Sequence, residues 1–220
     1  MPTNKFKVIR SVRRKKISFR FAPDGTLEIH TPLRFALKKI EQLIINNQQI
    51  IDDLRKRTPQ RHIPDLSENA PFYLLGRHYP LHLTCRLLMF DEKFMIPNGN
   101  EESKKASIIT LYRQLAAKII NARVDIYKQI MNLYPEKIRI SSASTRWGSC
   151  STNKTLSFSW KLIQCPLECV DYVVVHELAH LAEMNHSAAF WRKVGEVIPE
   201  YREKKEQLNA FAAQLPYWDQ

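Results

Sequence analysis

A chain of 220 residues with 44% hydrophobic content is long enough to bury a sizeable core as one domain, or as one domain with a small subdomain. Its formal net charge of +12 is uneven, since residues 1–67 hold 15 lysines and arginines against 6 acids. The absence of any run of about 18 apolar residues excludes a membrane-spanning helix, and the basic N-terminus lacks the apolar stretch of a secretory signal.

Residues 5–13 and 17–21 read as short strands joined by Arg13-Arg14-Lys15-Lys16. Ala22-Pro23-Asp24-Gly25 is a turn signal and Thr26 to His30 a third strand, together a small antiparallel meander. Apolar residues at Ile40, Leu43, Ile44, Ile50, Ile51 and Leu54 predict one helix over 35–57. Residues 58–70, with Pro59 and Pro64, form a linker or exposed loop. Strands then recur from Phe72 to Ile96, with a turn at Gly76. His78 and His82 share one side of a strand and are expected to be surface histidines.

Residues 103–133 carry the longest helical pattern, with a buried stripe at Ile108, Leu111, Leu115, Ile119, Ala122, Ile126, Ile130 and Leu133. Ala116, Ile120 and Val124 extend the apolar surface beyond that stripe, so the helix is expected to be covered on more than one side. Pro135 ends the helix, and strands follow at 137–141 and 155–160. Pro166 suits the first turn of the next helix, which is expected to run to a left-handed Asn185. Ser187 then caps a further helix, and 201–215 forms a last, charged one.

His176-Glu177-Leu178-Ala179-His180 is the segment with chemistry. Residues four apart share a helix face, so His176 and His180 can reach one zinc ion, with Glu177 beside a water on it. The apolar run up to Val175 would hold these ligands rigidly. A catalytic zinc normally takes three protein ligands. His186, ten residues after His176, is the favoured third, and Glu200 is the other candidate. The four cysteines, Cys85, Cys150, Cys165 and Cys169, form no C-x-x-C pair and are expected to be reduced fillers in a cytoplasmic protein.

Arg146-Trp147-Gly148-Ser149-Cys150-Ser151, the strand ending at Trp160, Tyr172 to His180, and Asn185-His186-Ser187 with Phe190-Trp191 resemble the YgjP-like metallopeptidase family, relatives of the SprT-like and WLM zinc-peptidase domains. Arg13-Arg14-Lys15, the Pro23-Asp24-Gly25 turn and Leu75-Gly76-Arg77 resemble it too, so the likeness spans roughly residues 8 to 205. It implies a zincin-like fold, His176, His180 and His186 as zinc ligands, and Glu177 as catalytic base.

The expected fold class is therefore α+β. A β-rich region over 1–100 carries one long helix and can pack in the same domain as a helical metal-binding region over 101–220. The expected function is zinc-dependent hydrolysis of peptides or proteins, although histidine sites also accept manganese, cobalt or nickel. Arg146, Trp147, Ser149 and Tyr172 are candidate substrate-binding residues. Two alternatives use the basic N-terminal half: hydrolysis of nucleotide phosphoanhydrides, and a nucleic-acid-associated SprT-like protease.

Overall fold

The computed structural model describes residues 6–22, 25–57, 63–216 and 218. They form an α+β protein with three small sheets and six helices among the described residues. Two compact units emerge, one from Met1–Pro64 with Ala213–Asp219, the other from Asp65–Ala212. No helix of the described residues is long and apolar enough to cross a membrane.

In the first unit, β1 (Phe6–Ser11), β2 (Ser18–Phe21) and β3 (Leu27–Pro32) form a sheet of order β1-β3-β2. The expected meander is corrected here: β3 lies in the middle, parallel to β1 and antiparallel to β2. Period-2 alternation dictates which face each side chain takes, but it does not choose the neighbour. The buried face holds Phe21, Leu27 and Ile29, and packs with Ile40 and Ile51 from two helices. Those helices, α1 (Leu37–Asn46) and α2 (Gln48–Arg57), replace the single helix expected over 35–57. Asn47 divides them: its side-chain amide and its backbone N–H both donate to the Leu43 carbonyl, capping α1. Pro23, Asp24 and the Pro59 part of the expected linker lie outside the described residues.

The second unit begins with β4 (Pro71–Leu74) and β5 (Arg77–Thr84), joined through Leu75 and Gly76, both with positive φ as a tight two-residue hairpin turn requires. A Cβ on Gly76 would also press to 3.0 Å from Pro166. Strands β6 (Met89–Phe90) and β7 (Phe94–Pro97) complete a sheet of order β4-β5-β7-β6, with β5 and β7 parallel. His82 pairs with Glu68 at 2.6 Å on the surface. The 31-residue helix α3 (Glu101–Met131) packs Tyr112 against Phe72 and Phe94, which ties these strands to the helix.

The buried line of α3 is Ile108, Tyr112, Ala116, Ile120 and Val124, with Leu111 beside it. Ile126 and Ile130 of the expected stripe are exposed instead. A strict four-residue step drifts slowly around a straight helix, so two apolar stripes competed and the neighbouring elements selected one. Asn132, left-handed at φ 52°, ends the helix before Pro135.

A third sheet, of order β8-β10-β9, contains β8 (Lys137–Ser141), β9 (Gly148–Cys150) and β10 (Thr155–Ser159). A buried 3-10 turn, Trp160–Gln164, leads into α4 (Leu167–Ala179). Arg123 of α3 clamps α4 through Asp171, with Nε to Oδ1 at 2.5 Å and Nη2 to Oδ2 at 2.8 Å. Breaking a largely buried pair strands the remaining charge, so Asp171→Ala should cost about 3 kcal/mol in chemical denaturation. A loss below about 0.5 kcal/mol would show that this clamp contributes little.

Helix α4 stops well before Asn185, which has no positive φ. His180 is already its C-cap, and tight turns from Leu181 N to Leu178 O and Ala182 N to Ala179 O replace further helix. Ser187 accepts from Phe190 N and caps α5 (Ala188–Val197), and α6 (Tyr201–Ala212) follows Pro199.

Candidate metal centre

Helix α4 is apolar on nearly every side, with Val170, Val174, Val175 and Leu178 fully buried. That burial holds its last turn in place, where His176, Glu177 and His180 stand side by side. The chain leaves through the turn at 181–184 and returns His186 to the same spot. One ligand nitrogen from each of His176, His180 and His186 lies within 4.8 Å of the others. His176 Nε2 and His186 Nε2 face each other at 3.1 Å. Phe190, fully buried, forms the floor, its ring centroid 4.5–4.9 Å from all three imidazoles.

These residues fit a metal ion. His180 Nδ1 lies 3.0 Å from the Glu183 carbonyl, and donation there leaves Nε2 as the free lone pair. Among the described residues, buried His176 Nδ1 finds no hydrogen-bond partner, a costly arrangement for a histidine with a purely packing role. Burial, helped by the charges of its histidine neighbours and Lys205, pushes His176 down to about 3, so it is neutral and able to ligate. His186, mostly exposed, is lowered in the same direction, by burial first. Glu200, the other candidate for third ligand, is exposed and outside the trio.

Glu177 is only 5% exposed. Burial raises its pKa to about 7, against a smaller downward pull from Arg146. Strand β9 crosses closely over it: a Cβ built on Gly148 would lie 2.5 Å from Glu177 Oε1 and 2.6 Å from its Cγ. Only glycine leaves room for that carboxylate.

A cleft of about 410 Å³ opens over His176, His186 and Glu177. Trp147, Gly148, Tyr172 and Val173 line it, as do Trp191, Lys205, Leu208 and Asn209. Of the four sequence-derived substrate candidates, Trp147 and Tyr172 face this cleft, whereas Ser149 pairs with Ser157 in the sheet and Arg146 is exposed. Tyr172 is pushed up to about 12, mainly by burial, and keeps its hydroxyl proton. Sequence reasoning missed Lys205 and Asn209, because helical spacing alone made α6 a charged surface helix. Trp191 stacks on His186 at 5.6 Å and 22°, and on Tyr201 at 5.0 Å and 15°, so the third histidine rests on a ring ladder.

The family model described as YgjP-like, metallopeptidase domain, matches residues 15–211. Among curated proteins none matches the chain. Solved structures that are similar over part of it include two metallopeptidase zymogens. The metallopeptidase zymogen abylysin of Pyrococcus abyssi shares 22% identity at a TM-score of 0.41, over 44% of this chain and 99% of its own. The metallopeptidase zymogen jannalysin of Methanocaldococcus jannaschii shares 21% identity at 0.38, over 42% of this chain and 95% of its own.

Proposed function

The chain belongs to the YgjP-like metallopeptidase family, and from that premise we propose that it is a zinc peptidase whose base is Glu177. His176, His180 and His186 would hold the ion. The observation that carries the reading is the convergence of three imidazoles beside one buried carboxylate. The chemistry a bound zinc supplies is activation of water, whose pKa falls toward about 7, and polarisation of a carbonyl.

The rest is done by the chain. Burial weakens Glu177 as an acid, which makes its carboxylate a stronger base near neutral pH. A carboxylate oxygen of Glu177 takes a proton from the attacking water and later returns it to the leaving amine. The Tyr172 hydroxyl, protonated at any physiological pH, is the donor we assign to the developing oxyanion. Trp147 and Val173 give the cleft apolar walls that thin the water around these charges.

Zinc removal tests the ligand set. A metal in thousandfold excess over its Kd stabilises the native state by about 4 kcal/mol. Chelation should therefore abolish hydrolysis and lower Tm by roughly 10 °C. Identical melting of the chelated and zinc-loaded protein would reject the histidine trio as a metal site. His186→Ala, on an exposed side chain, should reproduce the loss of zinc affinity without damaging the core. Peptides and nucleoside triphosphates assayed side by side on the zinc form separate the peptidase from a phosphoanhydride hydrolase. A flat DNA-binding isotherm at low salt would dismiss the nucleic-acid alternative.

A further inference from the structure

Helix α6 is charged, as its composition suggests, yet one side of it forms a wall of the cleft. Tyr201, Lys205 and Asn209 recur every fourth residue and so share that side, with Leu208 buried next to them. Tyr201 stacks on Trp191, and Lys205 Nζ sits 5.9 Å from the centroid of the same indole. The Lys205 ammonium thus stands over the face of the Trp191 indole at the wall of the cleft.

Among the described residues no carboxylate lies within 4.0 Å of Lys205, although other bases of the chain do find acids. Among the described residues, Glu177 is the only acid that lines the cleft. The cleft therefore presents at its exposed rim a cation without an acidic partner and an amide donor, beside Trp191, a charge pattern that attracts an anion and repels a cation.

We propose that the α6 wall is an acid-reading subsite, in which Lys205 pairs with a carboxylate of the peptide substrate and the Asn209 amide donates a second hydrogen bond to it. This rests on the peptidase reading of the neighbouring histidines and Glu177. The carboxylate is either an acidic side chain near the scissile bond or the free C-terminus of a short peptide.

The test uses the zinc-loaded protein and two sets of matched peptides, Asp against Asn at each position flanking the bond, and free against amidated C-terminus. The carboxylate member of one set should have a kcat/KM about tenfold higher, as expected for a charge-assisted bond. The set that shows it identifies the source. The preference should lie mostly in KM, shrink at high salt, fall to about one in Lys205→Met, and invert to favour the uncharged member of the set in Lys205→Glu. A wild-type ratio near one, or a preference that survives Lys205→Met, overturns the subsite.

A binding arm separates this proposal from the peptidase reading. The same peptides titrated into zinc-loaded Glu177→Gln, followed by tryptophan fluorescence, should show about tenfold tighter Kd for the acidic member. Selective binding with no wild-type cleavage would sink the peptidase reading and keep the subsite. Cleavage without selectivity would sink the subsite alone.

Discussion

Glu177→Gln should lower kcat/KM on a peptide substrate by about 10²- to 10⁴-fold while the protein keeps one zinc per chain and its fold. The substitution is isosteric, so it leaves the packing of a 5%-exposed side chain intact and removes only the ability to accept a proton. Stability should hold or rise, because a buried neutral amide is cheaper to desolvate than a buried carboxylate. Zinc content, circular dichroism and kcat/KM measured on one preparation decide the matter. Full activity would mean that another group takes the proton. Loss of zinc would mean that Glu177 acts through the metal site's architecture instead.

Gly148→Ala should cost about 100-fold in kcat with zinc retained. The new methyl would stand 2.5 Å from Oε1, 2.6 Å from Cγ and 2.7 Å from Cδ of Glu177, distances that real Cβ atoms do not tolerate. Neither partner yields easily. Gly148 is held opposite Phe158 in the β9–β10 pairing, and Glu177 is buried on α4. A displacement of about 1 Å at a proton-transferring group is enough for a loss of this size. Because the two residues act as a unit, the Gly148→Ala/Glu177→Gln double variant should be no more than a few-fold worse than Glu177→Gln alone. Multiplying effects would show that Gly148 works independently of the carboxylate, for instance through the sheet. Unchanged activity in the single variant would show that β9 moves aside freely.

The kinds of element were legible because their signals are local. The strand over 137–141, the Ser187 cap and the long helix ending near Pro135 each follow from neighbouring residues. The H-E-x-x-H spacing belongs to this class, since two histidines one helical turn apart share a face whatever surrounds them. The end of α4 was misjudged at Asn185, because three tight turns and the His180 to Glu183 contact compete with helix there, and these depend on the returning chain. The buried line of α3 was misjudged for a related reason: the helix offers several apolar stripes, and only its neighbours choose among them.

By itself the sequence determined what can bind and react: two histidines and a glutamate on one rigid apolar helix, with a third histidine ten residues on. The tertiary structure alone decided what surrounds them. It laid Gly148 over Glu177, set Phe190 beneath the three imidazoles, placed Trp191 against His186 and turned Lys205 into the cleft. Helical and strand periods encode the direction of a side chain relative to its own backbone. They carry no information about which distant segment that side chain will meet, and the burial of Glu177 and the lining of the cleft arise from those meetings.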